Sequence, residues 1–169
     1  MRSKPLEIAA ALAAAALLAA CGERGGAEKA AAPAPEAAAF LAKNAKADGV
    51  KTLPSGLQYK VIRSAPAGAP KPDLNDEVKV HYEGTLIDGT VFDSSYEGGA
   101  PAVFTIKGLI PAWEQAIPMM RVGDAWYLYV PPELGYGPDG SGPIPPNSVL
   151  VFKIELLGVL PKEGPAGLA

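Results

Sequence analysis

Gly108-Leu109-Ile110-Pro111-Ala112-Trp113-Glu114-Gln115-Ala116-Ile117-Pro118 decides how the 169-residue chain folds. Pro111 suits the first turn of a helix, where a missing N–H costs nothing. Pro118 cannot sit in a helix interior, so the helix is predicted to stop after about two turns. Trp113 and Ile117 are four residues apart and share a face, while Glu114 and Gln115 point elsewhere. So short a helix is marginal in water unless it packs on a surface. The segments on both sides of it read as strand or turn. The expected architecture is therefore one sheet wrapped around this helix, with Trp113 at the contact.

The strand patterns run outward from there. Leu57–Ile62 alternates, with Leu57, Tyr59 and Val61 on one face. Glu77–Thr85 places Val78, Val80 and Tyr82 on one side and Lys79, His81 and Glu83 on the other. The lone histidine thus lands on a polar face and reads as solvated. Asp88-Gly89 is a hairpin signal between Leu86-Ile87 and Thr90-Val91-Phe92. Ala102–Ile106 is a short strand leading into the helix. Gly123-Asp124 turns into Ala125–Val130, where Trp126, Leu128 and Val130 share a face. Val149–Leu157 is the last strand, with Leu150, Phe152, Ile154 and Leu156 inward. Pro131–Pro146 between them is a Gly/Pro-rich loop, too long for a mere turn and of a kind usually functional or disordered.

Ahead of this domain, residues 1–20 read as a lipoprotein signal peptide. Arg2 and Lys4 precede an uncharged apolar run from Ile8 to Ala20. That run is too short for the ~20 residues a bilayer span needs, and it has the length of a signal-peptide core. Leu18-Ala19-Ala20-Cys21 resembles the bacterial lipobox, which would make Cys21 the lipidated mature N-terminus; the alternative is an ordinary secretory signal with Cys21 incidental. No Asp follows Cys21, which in bacteria of the enterobacterial type favours the outer membrane. The expected location is the bacterial cell envelope, lipid-anchored in the outer membrane and facing the periplasm. Residues 21–35 are Gly, Ala, Glu, Lys, Arg and Pro after the cysteine and make a tether, reaching about 40 Å when extended. Residues 36–49 predict a helix of about three turns with Gly49 closing it. Residues 50–161 form the folded domain and 162–169 a flexible tail.

Composition removes several kinds of chemistry. One Cys and one His cannot supply a structural zinc site or a disulfide framework. A net charge of −3 with no basic stripe argues against nucleic acid. No Ser/His/Asp or Cys/His set assembles, no Gly-rich phosphate loop is present, and no His–carboxylate cluster suggests a metal. No cofactor is expected. What remains is aromatic: Tyr82, Phe92, Phe104, Trp113, Tyr136 and Phe152, with one carboxylate, Asp93, directly after Phe92. The residues alone leave open that these rings are plain core and that Asp93 caps a turn through the serines that follow it.

The order of the pieces carries a resemblance. Val80-His81-Tyr82-Glu83-Gly84, Asp88-Gly89, Val91-Phe92-Asp93-Ser94-Ser95, Leu109-Ile110-Pro111-Ala112-Trp113, Val122-Gly123, Pro132-Glu133-Leu134-Gly135-Tyr136-Gly137, and Ile144-Pro145-Pro146 followed by Leu150-Val151-Phe152 resemble the FKBP-type peptidyl-prolyl cis–trans isomerases. The resemblance runs from about Leu57 to Leu160. Thr52–Tyr59 is similar to the entry strand of the bacterial secreted branch. The resemblance implies an α+β fold, a strongly twisted antiparallel sheet curled around one short helix, with the substrate pocket between helix and sheet. By position it implies Trp113 as pocket floor, Tyr82, Phe92 and Phe152 as walls, Leu109 and Ile110 as mouth, and Phe104 and Ile144 at the edge. It implies Asp93, Tyr136 and Tyr82 as the catalytic set, with the Tyr136 hydroxyl and the Ile110 N–H meeting the substrate carbonyl. The implied partners are proline-containing unfolded or partly folded exported proteins and the macrolide ligands of the family. Residues 36–49 are shorter than the helical segment through which related periplasmic members pair, so a monomer is expected. The loop after Tyr136 departs from the small eukaryotic members, carrying Pro138–Pro143 in place of an aromatic or His tip. That polar loop motivates an alternative, a lipid-tethered binding module or chaperone with weak or no isomerase activity.

Overall fold

The computed structural model describes residues 35–160; Cys21, the signal segment, most of the tether and the C-terminal tail lie outside the described residues. The sheet strands are β1 (Val50–Thr52), β2 (Gln58–Arg63), β3 (Glu77–Leu86), β4 (Val91–Ser94), β5 (Ala102–Thr105), β6 (Ala125–Val130) and β7 (Leu150–Leu160). Their order is β1-β2-β6-β7-β3-β4, with β5 also paired to β3. Every pairing is antiparallel. The long strand β3 serves two partners on one edge: its first half, Glu77–Val80, pairs with β5, and Glu83–Thr85 pairs with β4. The register shifts between Gly84 and Thr85, an irregularity that adds local twist at the start of β4.

The sheet closes over α2 (Pro111–Ala116), as the sequence predicts. Its start is built locally. Gly108 holds φ +99, a conformation that L side chains rarely adopt, and its N–H donates to Glu114 Oε1 at 2.7 Å. Pro111 opens the helix. Ala112, Trp113, Ala116 and Ile117 form one fully covered stripe against the inner face of the sheet, among Leu57, Val80, Leu128, Ile154 and Leu156. Pro118 ends the α-helix but not the winding. Ile117–Met119 continues as one 3-10 turn, closed by Met120 N–H on the Ile117 carbonyl at 3.0 Å. A 3-10 turn asks for fewer backbone donors, so the proline is tolerated there.

Several expectations need correction at the edges. The first helix, α1, spans Pro35–Asn44 rather than reaching Asp48. Residues 45–49 unwind through turns, and Gly49, at φ +75, leads into β1. The three residues of β1 are too few to show a period. The last strand runs three residues beyond Leu157 to Leu160, paired with the start of β3. α1 docks by polar as well as apolar contact. Gln58, on the polar side of β2, is only 4% exposed because α1 covers it; its side chain accepts from Asn44 Nδ2 at 2.8 Å and donates to the Leu41 carbonyl at 2.9 Å. The Phe40 ring sits 6.3 Å from that of Tyr129.

His81 is likewise half-buried rather than solvated. Its Nδ1 lies 2.9 Å from Ser95 Oγ and its ring stacks on Tyr96 at 4.7 Å.

Candidate active site

Between α2 and the concave face of the sheet lies a cavity of about 170 Å³, lined by Tyr82, Phe92, Asp93, Phe104, Leu109, Ile110, Trp113, Tyr136 and Phe152. These nine are the residues singled out from the sequence, less one. Ile144 is buried at 6% exposure in the core and is not part of the lining. Alternation places them: Tyr82 and Phe152 point inward from β3 and β7, and the helix stripe brings Trp113 up from the other side.

Trp113 is the floor, and three rings stand edge-on to it. Their centroids lie at 5.3 Å (Tyr82), 5.4 Å (Phe152) and 5.8 Å (Phe104), with interplanar angles of 83°, 81° and 80°. Phe92 meets Phe152 the same way, at 5.6 Å and 88°. Edge-to-face pairs match the ring quadrupoles and fix each ring against its neighbour. The Trp113 Nε1 is buried and has no hydrogen-bond partner among the described residues, as is the Nε1 of Trp126.

The polar groups sit at the rim. Tyr82 donates its hydroxyl to Asp93 Oδ2 at 2.6 Å. Asp93 is thus engaged with Tyr82; in the turn that follows, Ser94 Oγ accepts from the Tyr96 N–H at 3.3 Å. Burial, then the hydrogen bond to Asp93 and its charge, and more weakly Tyr136, hold the Tyr82 phenol well above its ordinary range. The phenol therefore keeps its proton and donates it to Asp93. Tyr136 is 41% exposed on the long loop at the mouth. The Ile110 carbonyl accepts from Trp113 N–H at 2.9 Å, while its own N–H makes no hydrogen bond among the described residues. Among the described residues no group of His, Cys, Asp and Glu is placed to hold a metal.

Two residues of the site were not singled out from the sequence. A Cβ on Gly84 would lie 2.5 Å from Phe92 Cζ and 2.9 Å from Phe152 Cε1, so only glycine lets both rings close over β3. The signal was there, a glycine inside a strand pattern, which often marks close approach. Ser95, 8% exposed, accepts the Tyr82 N–H through Oγ at 2.9 Å, while its own N–H donates to the Tyr82 carbonyl at 3.0 Å. It fastens the chain just past Asp93 to Tyr82. No sequence pattern distinguishes it from a turn serine.

Comparison with known proteins bears on the fold and the family. The sequence model described as FKBP-type peptidyl-prolyl cis-trans isomerase matches residues 68–157, just over half of the chain. The chain belongs to this FKBP family. The model of the domain amino terminal to FKBP-type peptidyl-prolyl isomerases matches residues 2–61, taking in α1, β1 and most of β2. Peptidyl-prolyl cis-trans isomerase Mip of Coxiella burnetii is 51% identical over 125 residues, covering 73% of this chain and 54% of that protein. Outer membrane protein MIP of Legionella longbeachae is 51% identical over 122 residues, covering 72% and 52%. The crystal structure of FkpA from Escherichia coli superposes with a TM-score of 0.73 at 42% identity, covering 79% of this chain and 62% of that one. The chain thus spans about half the length of the curated FKBP relatives it matches.

Proposed function

We infer that the chain is a peptidyl-prolyl cis–trans isomerase acting on X–Pro bonds of exported proteins. The observation that carries this reading is the ring-lined cavity over Trp113, with a hydroxyl–carboxylate pair at its rim. Rotation about a peptide bond faces a barrier of about 18–20 kcal/mol because amide resonance must be broken. For X–Pro the two ground states differ by only about 0.5–1 kcal/mol. No bond is made or cleaved, so no nucleophile is required. In the twisted transition state the amide loses resonance and part of its dipole. An apolar cavity that grips the proline ring favours that state over the planar amide. The Tyr136 hydroxyl and the free Ile110 N–H would orient the substrate carbonyl, and Asp93, kept in place by Tyr82, would set the field at the rim. A stabilisation of about 7 kcal/mol corresponds to roughly five decades in rate.

The same reading divides the chain into a lipoprotein signal (1–20), a tether anchored at Cys21 (21–35), a short segment carrying α1 (36–49), the isomerase domain (50–161) and a short tail. It places a monomeric enzyme on the periplasmic side of the outer membrane; the name of the Legionella relative supports the membrane assignment. Proline-limited refolding of a model protein is expected to accelerate when the full chain is added at micromolar concentration. Suppression of aggregation without acceleration would instead make it a holdase.

Asp93→Asn and Tyr136→Phe separate the rim groups. Asp93→Asn is expected to lower kcat/KM about tenfold, ~1.4 kcal/mol in the barrier, with little change in melting. Tyr136→Phe keeps the ring and loses one hydrogen bond, worth about 0.5–1.5 kcal/mol in binding. A proline tetrapeptide assay on both variants decides the order. Tyr82 carries a prediction about pH. Its proton is held more tightly in the folded state than at the ordinary value of 10.0. Its contribution to stability is therefore complete below that pH and is lost only as pH rises beyond it. Between roughly pH 6 and 9, kcat/KM should show no step from Tyr82.

A further inference from the structure

A second cavity, of about 280 Å³, lies where three distant segments meet: the first residues of α1, the tip of the β3–β4 hairpin, and residues 145–149 at the end of the long loop. We propose that it is a second client subsite, which takes a Lys or Arg side chain together with a neighbouring apolar residue, a few positions from the bound proline. This rests on the isomerase reading given above.

Position is the first argument. On the β3–β7 ladder Leu86 pairs with Leu150, and two residues along Gly84 pairs with Phe152. Leu86 lines the second cavity and Phe152 the first. Along the strands the offset is two residues, about 7 Å. A client chain held by its proline over Trp113 spans that offset with two to four extended residues.

Charge is the second. The only ionisable side chains in the lining are two carboxylates, Glu36 and Asp88. Asp88 is fixed by the hairpin, its Oδ1 accepting the Thr90 N–H at 2.9 Å, and that bond holds its carboxyl below the usual range. Around them the wall is apolar, with Ile87 left 37% exposed and Val149 buried beneath. Two exposed carboxylates in the lining of an apolar-walled cavity fit a cation carried on a hydrocarbon stem.

The third is a mechanical link between the two cavities. Asn147, in the second, holds φ +56, and its N–H donates to the Gly137 carbonyl at 3.0 Å. Gly137 follows Tyr136. A side chain seated against Asn147 therefore bears on the loop that carries Tyr136 to the mouth of the first cavity.

The test uses the full chain and ten-residue peptides with one central Ala-Pro, carrying Lys or Gln two, three or four positions before or after the proline. In low salt the best Lys peptide is expected to have a KM about fivefold below its Gln counterpart, with kcat unchanged. Half-molar salt and the double variant Glu36→Gln/Asp88→Asn should each abolish the difference. Turnover of a bare proline tetrapeptide should be the same in parent and double variant. A tetrapeptide that is not turned over by the parent defeats the isomerase reading itself. Normal tetrapeptide turnover with no Lys preference, or with a preference that survives in the double variant, overturns the subsite alone. A preference that emerges only in Arg24→Gln/Lys29→Gln assigns the groove to the chain's own leading segment and also overturns it.

Discussion

Trp113→Ala is expected to lower the free energy of unfolding by about 3–5 kcal/mol, the cost of truncating a buried aromatic side chain. The ring is 4% exposed and in edge contact with Tyr82, Phe104 and Phe152, so its loss opens a void between helix and sheet. Trp113→Leu should cost about 1–2 kcal/mol less. Leucine fills part of the void and also deletes the buried Nε1, which has no acceptor among the described residues, and an unpaired buried donor is itself a penalty of about 1–3 kcal/mol. Urea denaturation of both variants, followed by far-UV circular dichroism, measures this. In a Trp126→Phe background the Trp113 emission should be that of a dry ring; a water-exposed spectrum would contradict the central-helix packing.

Gly84→Ala is expected to damage activity more than stability. The added methyl would stand 2.5 and 2.6 Å from two Phe92 ring carbons and 2.9 Å from one of Phe152. Neither ring can simply swing away, because the two are packed edge to face on each other and Phe152 on Trp113. Overpacking of this kind costs about 1–3 kcal/mol in stability. Both displaced rings are walls of the cavity, so kcat/KM should fall by about ten- to a hundredfold. Phe92→Leu placed on top of Gly84→Ala should recover stability, since it removes the clash, but not full activity. If Gly84→Ala melts lower yet turns over the tetrapeptide like the parent, the wall geometry is not what catalysis needs.

What could be read from the residues, and what could not, follows from the range of the forces involved. Alternation in Glu77–Thr85 and Val149–Leu157, and the two prolines around Trp113, are local signals, and they placed the sheet, the helix and the inward rings. The family resemblance then drew Asp93 and Tyr136 toward those rings. Apart from the element ends, the differences concern groups whose state is set by a distant segment. Gln58 lies opposite the Leu57, Tyr59 and Val61 face, and only α1, laid across it, buries it. His81 reads as solvated until Ser95 and Tyr96 fold back against it. Ile144 sits in a motif with pocket residues but turns into the core, where the Ser141–Ile144 bridge holds its backbone. Gly84 was visible as a glycine, but the two rings that exclude a side chain there come from β4 and β7. Proline stopped the α-helix where expected, and the chain winds on for one 3-10 turn whose Ile117 and closing Met120 are fully buried.

Two-dimensional exchange NMR on a short peptide with one Ala-Pro bond tests the central claim most directly, because it reads bond rotation without a coupled protease or a refolding protein. Added in catalytic amount, the full chain should produce strong cross-peaks between the cis and trans proline signals while leaving their ratio unchanged, and Gly84→Ala should weaken those cross-peaks by at least about tenfold. Line broadening from binding, with cis–trans exchange still at the uncatalysed tens to hundreds of seconds, would show that the cavity holds proline without turning it.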